Sequence, residues 1–253
     1  MSVLVTGGAG YIGSHMVLAL ADAGEAVTVL DNLSTGLRTA VDSRAELVEG
    51  DIGDAELVRG IFQRKNITDV VHFAGSIVVP ESVTDPLKYY SNNTAKTRNL
   101  IECCVKEAVP RFVFSSTAAV YGSPEQVPVT EDVQLAPMSP YGRSKLMSEW
   151  MLQDVAAAHE LTYVVLRYFN VAGADPAGRS GQSTKDATHL IKVAVQTALG
   201  TRDHMKIFGD DYATPDGTGV RDYIHVSDLI SAHEAAVTYL RSGGESLIAN
   251  CGY

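Results

Sequence analysis

The chain has 253 residues, 45% of them hydrophobic and 20% charged, with a formal net charge of −10. That length suits one large α/β domain, or one domain and part of a second, and the composition excludes a disordered or membrane-spanning chain. With no basic cluster, nucleic acid and anionic membranes are excluded as expected partners, whereas an anionic small molecule held by backbone dipoles is not.

An apolar run begins within three residues of Met1, so no secretory leader is expected. Cys103 and Cys104 are adjacent and Cys251 stands alone, a pattern that suits neither a disulfide nor zinc. The histidines show no metal-type spacing. The expectation is a cytoplasmic, metal-free protein with reduced thiols.

The first predicted strand, residues 3–6, runs directly into Gly7-Gly8-Ala9-Gly10-Tyr11-Ile12-Gly13. A helix follows with Ile12, Met16, Ala19, Leu20 and Ala23 on one face, ended by Gly24. Gly7 and Gly10 suit a tight turn whose backbone N–H groups approach a pyrophosphate, and Gly13 lets the helix pack against the strand. A second strand, 26–30, ends at Asp31, 18 residues beyond Gly13 and near the spacing of a ribose-binding carboxylate. An acid there favours NAD, because it repels the 2′-phosphate of NADP.

Further βα units follow. A strand at 46–49 leads to Gly50-Asp51-Ile52 and a helix through Leu57, Ile61 and Phe62. Another at 69–73 ends in Ala74-Gly75. A long helix is predicted over 86–108, containing Asn92 and Asn93, then strands at 111–115 and 163–167. This alternation predicts an α/β fold, a doubly wound parallel Rossmann sheet with ligands at the strands' C-terminal ends, where Asp51, Gly75, Ser115, Thr117 and Tyr168 fall.

Ser139-Pro140 reads as a helix start, with serine as cap and proline at the first position. Beyond it an apolar stripe, Leu146, Met147, Trp150, Met151 and Val155, has helical spacing. Tyr141 and Lys145 then sit one turn apart on one face. Lowering a tyrosine from about 10 to near 7 takes roughly 4 kcal/mol. One positive charge at about 4 Å, in a medium of effective dielectric ~20, supplies that much. The pair is sufficient for a tyrosine that exchanges protons near neutral pH.

From residue 170 the texture changes. Residues 172–183 form a long polar connection of the kind that is usually functional. A helix is predicted over 188–199, a loop over 209–219 and a strand within 247–253. The division expected is a 1–170 NAD-binding domain and a smaller 171–253 region, with segments from about 220 onward returning to the sheet.

Thr6 through Gly13, Phe114-Ser115-Ser116-Thr117 through Val120-Tyr121-Gly122, Tyr141 with Lys145, Arg167-Tyr168-Phe169-Asn170, and Gly219 through Val226 occur here in one order. Together they resemble the extended short-chain dehydrogenase/reductase family, over essentially the whole chain. The resemblance implies an enzyme that interconverts UDP-glucose and UDP-galactose at C4 through a 4-keto sugar, using tightly bound NAD, and a homodimer formed through the long helices. It implies Tyr141 as the base, Lys145 as its electrostatic partner, and Thr117 at a position commonly held by serine. Gly7, Gly10, Tyr11, Ile12, Gly13, Asp31, Asn32, Asp51, Ile52, Phe73, Ala74, Gly75, Asn92, Ser115 and Tyr168 match cofactor-contacting positions. Phe169, Asn170, His189 and Arg221 match positions that face the nucleotide-sugar, with Arg221 on the diphosphate. The resemblance further implies that 171–253 is a partial nucleotide-sugar-binding region.

Three departures accompany the resemblance. Ile77 stands where better-known members carry a lysine near the cofactor. His189-Leu190 replaces Asn-Leu. Relatives continue past Tyr253 through a part that supplies uridine and diphosphate contacts, so weak turnover is expected of these residues alone. The competing readings are a 4,6-dehydratase, which needs an Asp-Glu pair where this chain has Ala118-Ala119, and an NAD-binding protein without turnover.

Overall fold

A computed structural model describes residues 1–184 and 188–252. Strands and helices alternate as β1 (Ser2–Thr6), α1 (Tyr11–Asp22), β2 (Ala26–Asp31), β3 (Glu46–Glu49), α2 (Ala55–Lys65), β4 (Asp69–His72), α3 (Val79–Thr84), α4 (Pro86–Tyr89), α5 (Lys96–Lys106), β5 (Arg111–Ser115), α6 (Pro140–Ala158) and β6 (Thr162–Tyr168). There follow β7 (Asn170–Ala172), α7 (Leu190–Ala198), β8 (Tyr223–His225), α8 (Val226–Arg241) and β9 (Leu247–Cys251). Seven strands form one sheet in the order β3-β2-β1-β4-β5-β6-β9, every pair parallel. A second, two-stranded sheet pairs β7 with β8. The expected doubly wound α/β fold is therefore present, and β9 returns to the main sheet beside β6.

Each central strand is apolar on both faces, as a sheet covered on two sides requires. On β1, Val3 and Val5 pack with Met16, Val17 and Leu20 of α1 and Leu229, Ile230 and Val237 of α8. Leu4 points the other way, into Val58, Ile61, Leu100, Phe112, Phe114 and Leu152 from α2, α5, β5 and α6. Strand order reverses between β1 and β4, and the crevice for a ligand opens above that point. Gly7 sits there at φ +72, where a Cβ would lie 2.6 Å from the Ala74 backbone nitrogen. Just below, buried His72 bridges β1 and α5. Its Nδ1 lies 2.6 Å from Thr6 Oγ1 and its Nε2 2.8 Å from Thr97 Oγ1, and burial holds its pKa well below the ordinary value. At the opposite end of the sheet, Asp69 accepts from Arg111 at 2.6 Å and from Arg241 at 3.0 Å, tying β5 and α8 to β4.

Three expectations need correction. The helix predicted over 86–108 is α4 and α5 joined through a π-helical turn, Tyr90–Ala95. That turn is where Asn92 and Asn93 reach towards Ser76. The stripe read on α6 is only partly its buried face: Leu146 is buried, and Met151 and Val155 pack against the core. Met147 and Trp150 are exposed, and the face turned inward carries Ser144, Lys145, Leu146, Ser148, Glu149 and Leu152. The polar groups are tolerated there because each bonds another element rather than water. Finally, α3, α8 and the β7–β8 pair were not anticipated. No helix among the described residues is long and apolar enough to cross a membrane.

Candidate active site

The glycine loop is built from the sheet outward. Gly7 donates its N–H to Leu30 O at 2.9 Å and Gly10 donates back to Gly7 O at 3.1 Å. A Cβ on Gly13 would lie 2.2 Å from Gly7 O, so the first turn of α1 packs here only without a side chain. Gly10 caps α1 with no side-chain hydrogen bond and the first turn carries no acid, which leaves its N–H groups and dipole for an anion. Asp31, at the end of β2, accepts from Ala9 N at 3.0 Å with one oxygen and Leu33 N at 2.8 Å with the other. An ionised carboxylate has about four acceptor sites, so these two bonds orient Asp31 and leave capacity for sugar hydroxyls.

Around this loop lie the remaining cofactor candidates. Asn32 donates to Asp51 at 3.2 Å, and Lys96 pairs with Asp51 at 2.7 Å. Burial alone would raise the Asp51 carboxyl, but Lys96, the Gly53 N–H and Asn32 together hold it below the usual range. The Ile52 carbonyl accepts from Asn99 at 2.6 Å. Phe73 packs against His233 with ring centroids 4.8 Å apart and the rings tilted by 37°. Asn92 donates to Ser76 Oγ at 3.0 Å, while Asn93, which the sequence reading passed over, holds both Ser76 N and Ser76 O. Tyr11 donates to Gly173 O at 2.6 Å, and burial pushes its phenol up to about 12.

Tyr141 follows the predicted cap: Ser139 accepts from Gly142 N, and Pro140 opens α6. The Thr117 side chain, itself buried, lies near enough to the Tyr141 phenol to pull its pKa down and accepts from Ala119 N at 3.1 Å. Lys145 is buried, donates to Ser115 O at 3.0 Å and lies 4.8 Å from the Phe114 ring centre. Ser115 Oγ is 2.6 Å from Tyr168 Oη. Ser115, Thr117, Tyr141, Lys145 and Tyr168 thus meet at the C-terminal ends of β5 and β6, and a Cβ on Gly75 would lie 3.7 Å from Lys145 Nζ.

The electrostatics differ from the expectation in one respect. The ammonium bonds the Ser115 carbonyl instead of the phenol, and burial raises Tyr141, with Thr117 opposing. Burial also pulls Lys145 down to about 8, with Glu149 opposing. One turn of helix supplies proximity; the low dielectric around both groups decides the direction.

The remaining candidates lie outside this corner. Phe169 and Asn170 are half-buried, Asn170 donating to Asp222 O at 2.9 Å. His189 caps α7 and is exposed beside Gln182, 3.0 Å away. Arg221 is exposed and donates to Val220 O at 2.7 Å. Ile77 is exposed. Sequence reading also missed Ser116, Tyr121 and Glu149; the one available signal was Glu149 lying a further turn along from Tyr141 and Lys145.

The residues present fit a dinucleotide: glycines at the points of closest approach, an uncapped helix start, and an oriented carboxylate at the second strand's end. Comparison with known proteins agrees. Residues 3–252 match the model of the NAD dependent epimerase/dehydratase family. A UDP-glucose 4-epimerase of Azospirillum brasilense is 60% identical over 251 residues, covering 99% of this chain and 72% of that protein. Among solved structures, UDP-glucose 4-epimerase from Brucella ovis in complex with NAD superposes with a TM-score of 0.96 at 47% identity, over 99% of this chain and 77% of that one. The enzyme from Bifidobacterium longum in complex with NAD+ and UDP gives 0.93 at 39% identity, over 100% and 78%.

Proposed function

The chain belongs to the NAD dependent epimerase/dehydratase family, and from that premise we infer that it interconverts UDP-glucose and UDP-galactose at C4 with NAD as its cofactor. Membership and the named relatives support the reaction; the observation that carries the assignment of roles is the corner where buried Thr117 lies beside the Tyr141 phenol and Lys145 lies buried on Ser115.

In this reading Tyr141 takes the proton from the sugar 4-hydroxyl and returns it, and the Thr117 hydroxyl beside it shares that proton with the sugar oxygen. Because burial raises Tyr141, its use as a base depends on nearby positive charge, which Lys145 contributes from the same helix face. When bound, NAD supplies the reversible hydride acceptor for C4 and a second positive charge beside the phenol. The loop from Gly7 to Gly13, with Tyr11 and Ile12 at the start of α1, holds the pyrophosphate, and Asp31 with Asn32 holds a ribose. Asp51, Ile52, Phe73, Ala74, Gly75, Asn92, Ser115 and Tyr168 line the rest of the cofactor. Phe169, Asn170, His189 and Arg221 receive the UDP-sugar, the guanidinium of Arg221 suiting a diphosphate.

Residues 1–170 then form the cofactor half and 171–253 the sugar-nucleotide half, with α8 and β9 folded back onto the former. A homodimer through α5 and α6 accompanies this reading, supported by exposed Met147 and Trp150 on α6, and a cytoplasmic setting goes with the free, buried Cys103 and Cys104. Ala118-Ala119 form a short turn after Thr117 and have no group able to move a proton, so elimination of water is not favoured.

The test is conversion of UDP-galactose to UDP-glucose by the purified chain, together with identification of the nucleotide released on denaturation. Conversion with NAD released is expected; NAD released without conversion would leave a binding protein.

A further inference from the structure

Glu149 is fully buried and lies one turn beyond Lys145 on α6. It meets Arg167 of β6, 2% exposed, through three hydrogen bonds: Nε at 3.2 Å to each carboxylate oxygen, and Nη2 at 2.6 Å to Oε2. Ser116 Oγ donates to the same carboxylate. Arg167 Nη1 donates to Tyr121 Oη at 2.8 Å, and Tyr121 Oη donates to Asn250 at 2.7 Å. The Arg167 guanidinium also lies 5.0 Å from the Tyr121 ring centre.

A buried ion pair rarely stabilises a fold more than apolar side chains of the same size would. What is distinctive here is the company it keeps. Ser116 stands between Ser115, whose carbonyl takes the Lys145 ammonium and whose hydroxyl meets Tyr168, and Thr117, which lies beside the Tyr141 phenol. Arg167 precedes Tyr168. The pair therefore lies directly beneath the proton-handling groups and contacts none of the atoms that react.

We propose that the Glu149–Arg167 pair is the positioning element of this site: through Ser116 it fixes the Ser115–Thr117 corner against α6, and the Glu149 charge keeps Lys145 an ammonium. The inference rests on the epimerase reading above and names residues that support its chemistry from below. Arg167 neutralises Glu149 only in part from the lysine's viewpoint, since it lies on the strand side of the carboxylate while Lys145 shares its helix face. Three groups of net charge +1 share this space, and removal of the anion would leave two cations in low dielectric, of which only lysine readily gives up its proton.

The test uses the NAD-loaded chain with lysine labelled by 13C at Cε, the Lys145 resonance assigned by its loss in Lys145→Met. In Glu149→Gln, Lys145 is expected to titrate about one pH unit lower, and kcat to fall about tenfold with KM nearly unchanged. Ser116→Ala cuts only the link to the corner, and is expected to lower kcat about fivefold while leaving the Lys145 titration in place. A folded Glu149→Gln whose Lys145 titrates as in the parent, or whose kcat is within twofold, overturns the proposal. Should Glu149→Gln fail to fold, Ser116→Ala decides alone, and kcat within twofold of the parent overturns it. The lysine titration needs no turnover; a parent chain without conversion would instead count against the epimerase reading.

Discussion

The corner around Lys145 and the segment from α7 to β8 are built in opposite ways. At the corner, Ser115, Ser116, Thr117, Ser144, Lys145, Ser148 and Glu149 are all buried polar groups, and all but Thr117, which accepts from Ala119 N, are bonded to a partner on another element. In the second region α7 has no buried residue, Leu190, Ile191, Val195 and Leu199 are exposed, and Phe208 in the loop beyond is 89% exposed. Chemistry that moves a proton needs groups held to fractions of an ångström, and a low dielectric that shifts their pKa values. Recognition of a diphosphate needs charge and reach, which an exposed arginine retains. The contrast predicts that substitutions in the first region alter kcat and folding, and those in the second alter KM.

The largest expected effect is at Tyr141. Tyr141→Phe should lower kcat by about 10³-fold or more while NAD stays bound, measured by conversion of UDP-galactose and by nucleotide released on denaturation. Substantial residual turnover would erase the distinction between the two regions.

Next comes pH. Lys145 sits at about 8 in the folded protein against an ordinary 10.5. Below about 8 both folded and unfolded chains carry the proton, and the fold bears a buried charge. Between the two values the unfolded chain binds the extra proton, so stability rises with pH, by up to about 3 kcal/mol. Activity should fall earlier, around pH 8, as the folded chain loses the ammonium. Urea midpoints and kcat measured together from pH 7 to 10.5 should therefore diverge, and Lys145→Met should lack this rise in stability.

Smallest are the exposed candidates. Arg221→Ala should raise KM for the UDP-sugar about tenfold, the worth of one charge-assisted hydrogen bond, with stability changed by less than about 0.5 kcal/mol. His189→Ala should raise it about threefold. An effect on kcat larger than that on KM in either variant would move that residue into the first region.

What could be read beforehand was local. The glycine loop, Asp31 at the end of its strand, the Ser139–Pro140 start of α6 and the parallel alternation each rest on a few neighbouring residues, and the structure places them as expected. The inward face of α6 was not legible, because Ser148 is buried by its bond to Asn93 O and Glu149 by its bonds to Arg167, contacts between residues distant in sequence. Apolar spacing found Leu146, Met151 and Val155 on the packed side but also pointed to Met147 and Trp150, which face outward. Asn92 was preferred to Asn93 by resemblance, yet Asn93 is the buried one and clamps Ser76 to Ser144. The direction of the Tyr141 shift could not be read from spacing, since burial outweighs helical adjacency.

α1 is tied to the loop after β7 at three places, two at its start and one at its end: Tyr11 to Gly173 O, Ser14 to Ser180, and Asp22 to Arg179. Because α1 begins at the glycine loop, the polar connection after β7 braces both ends of the helix on which that loop is seated.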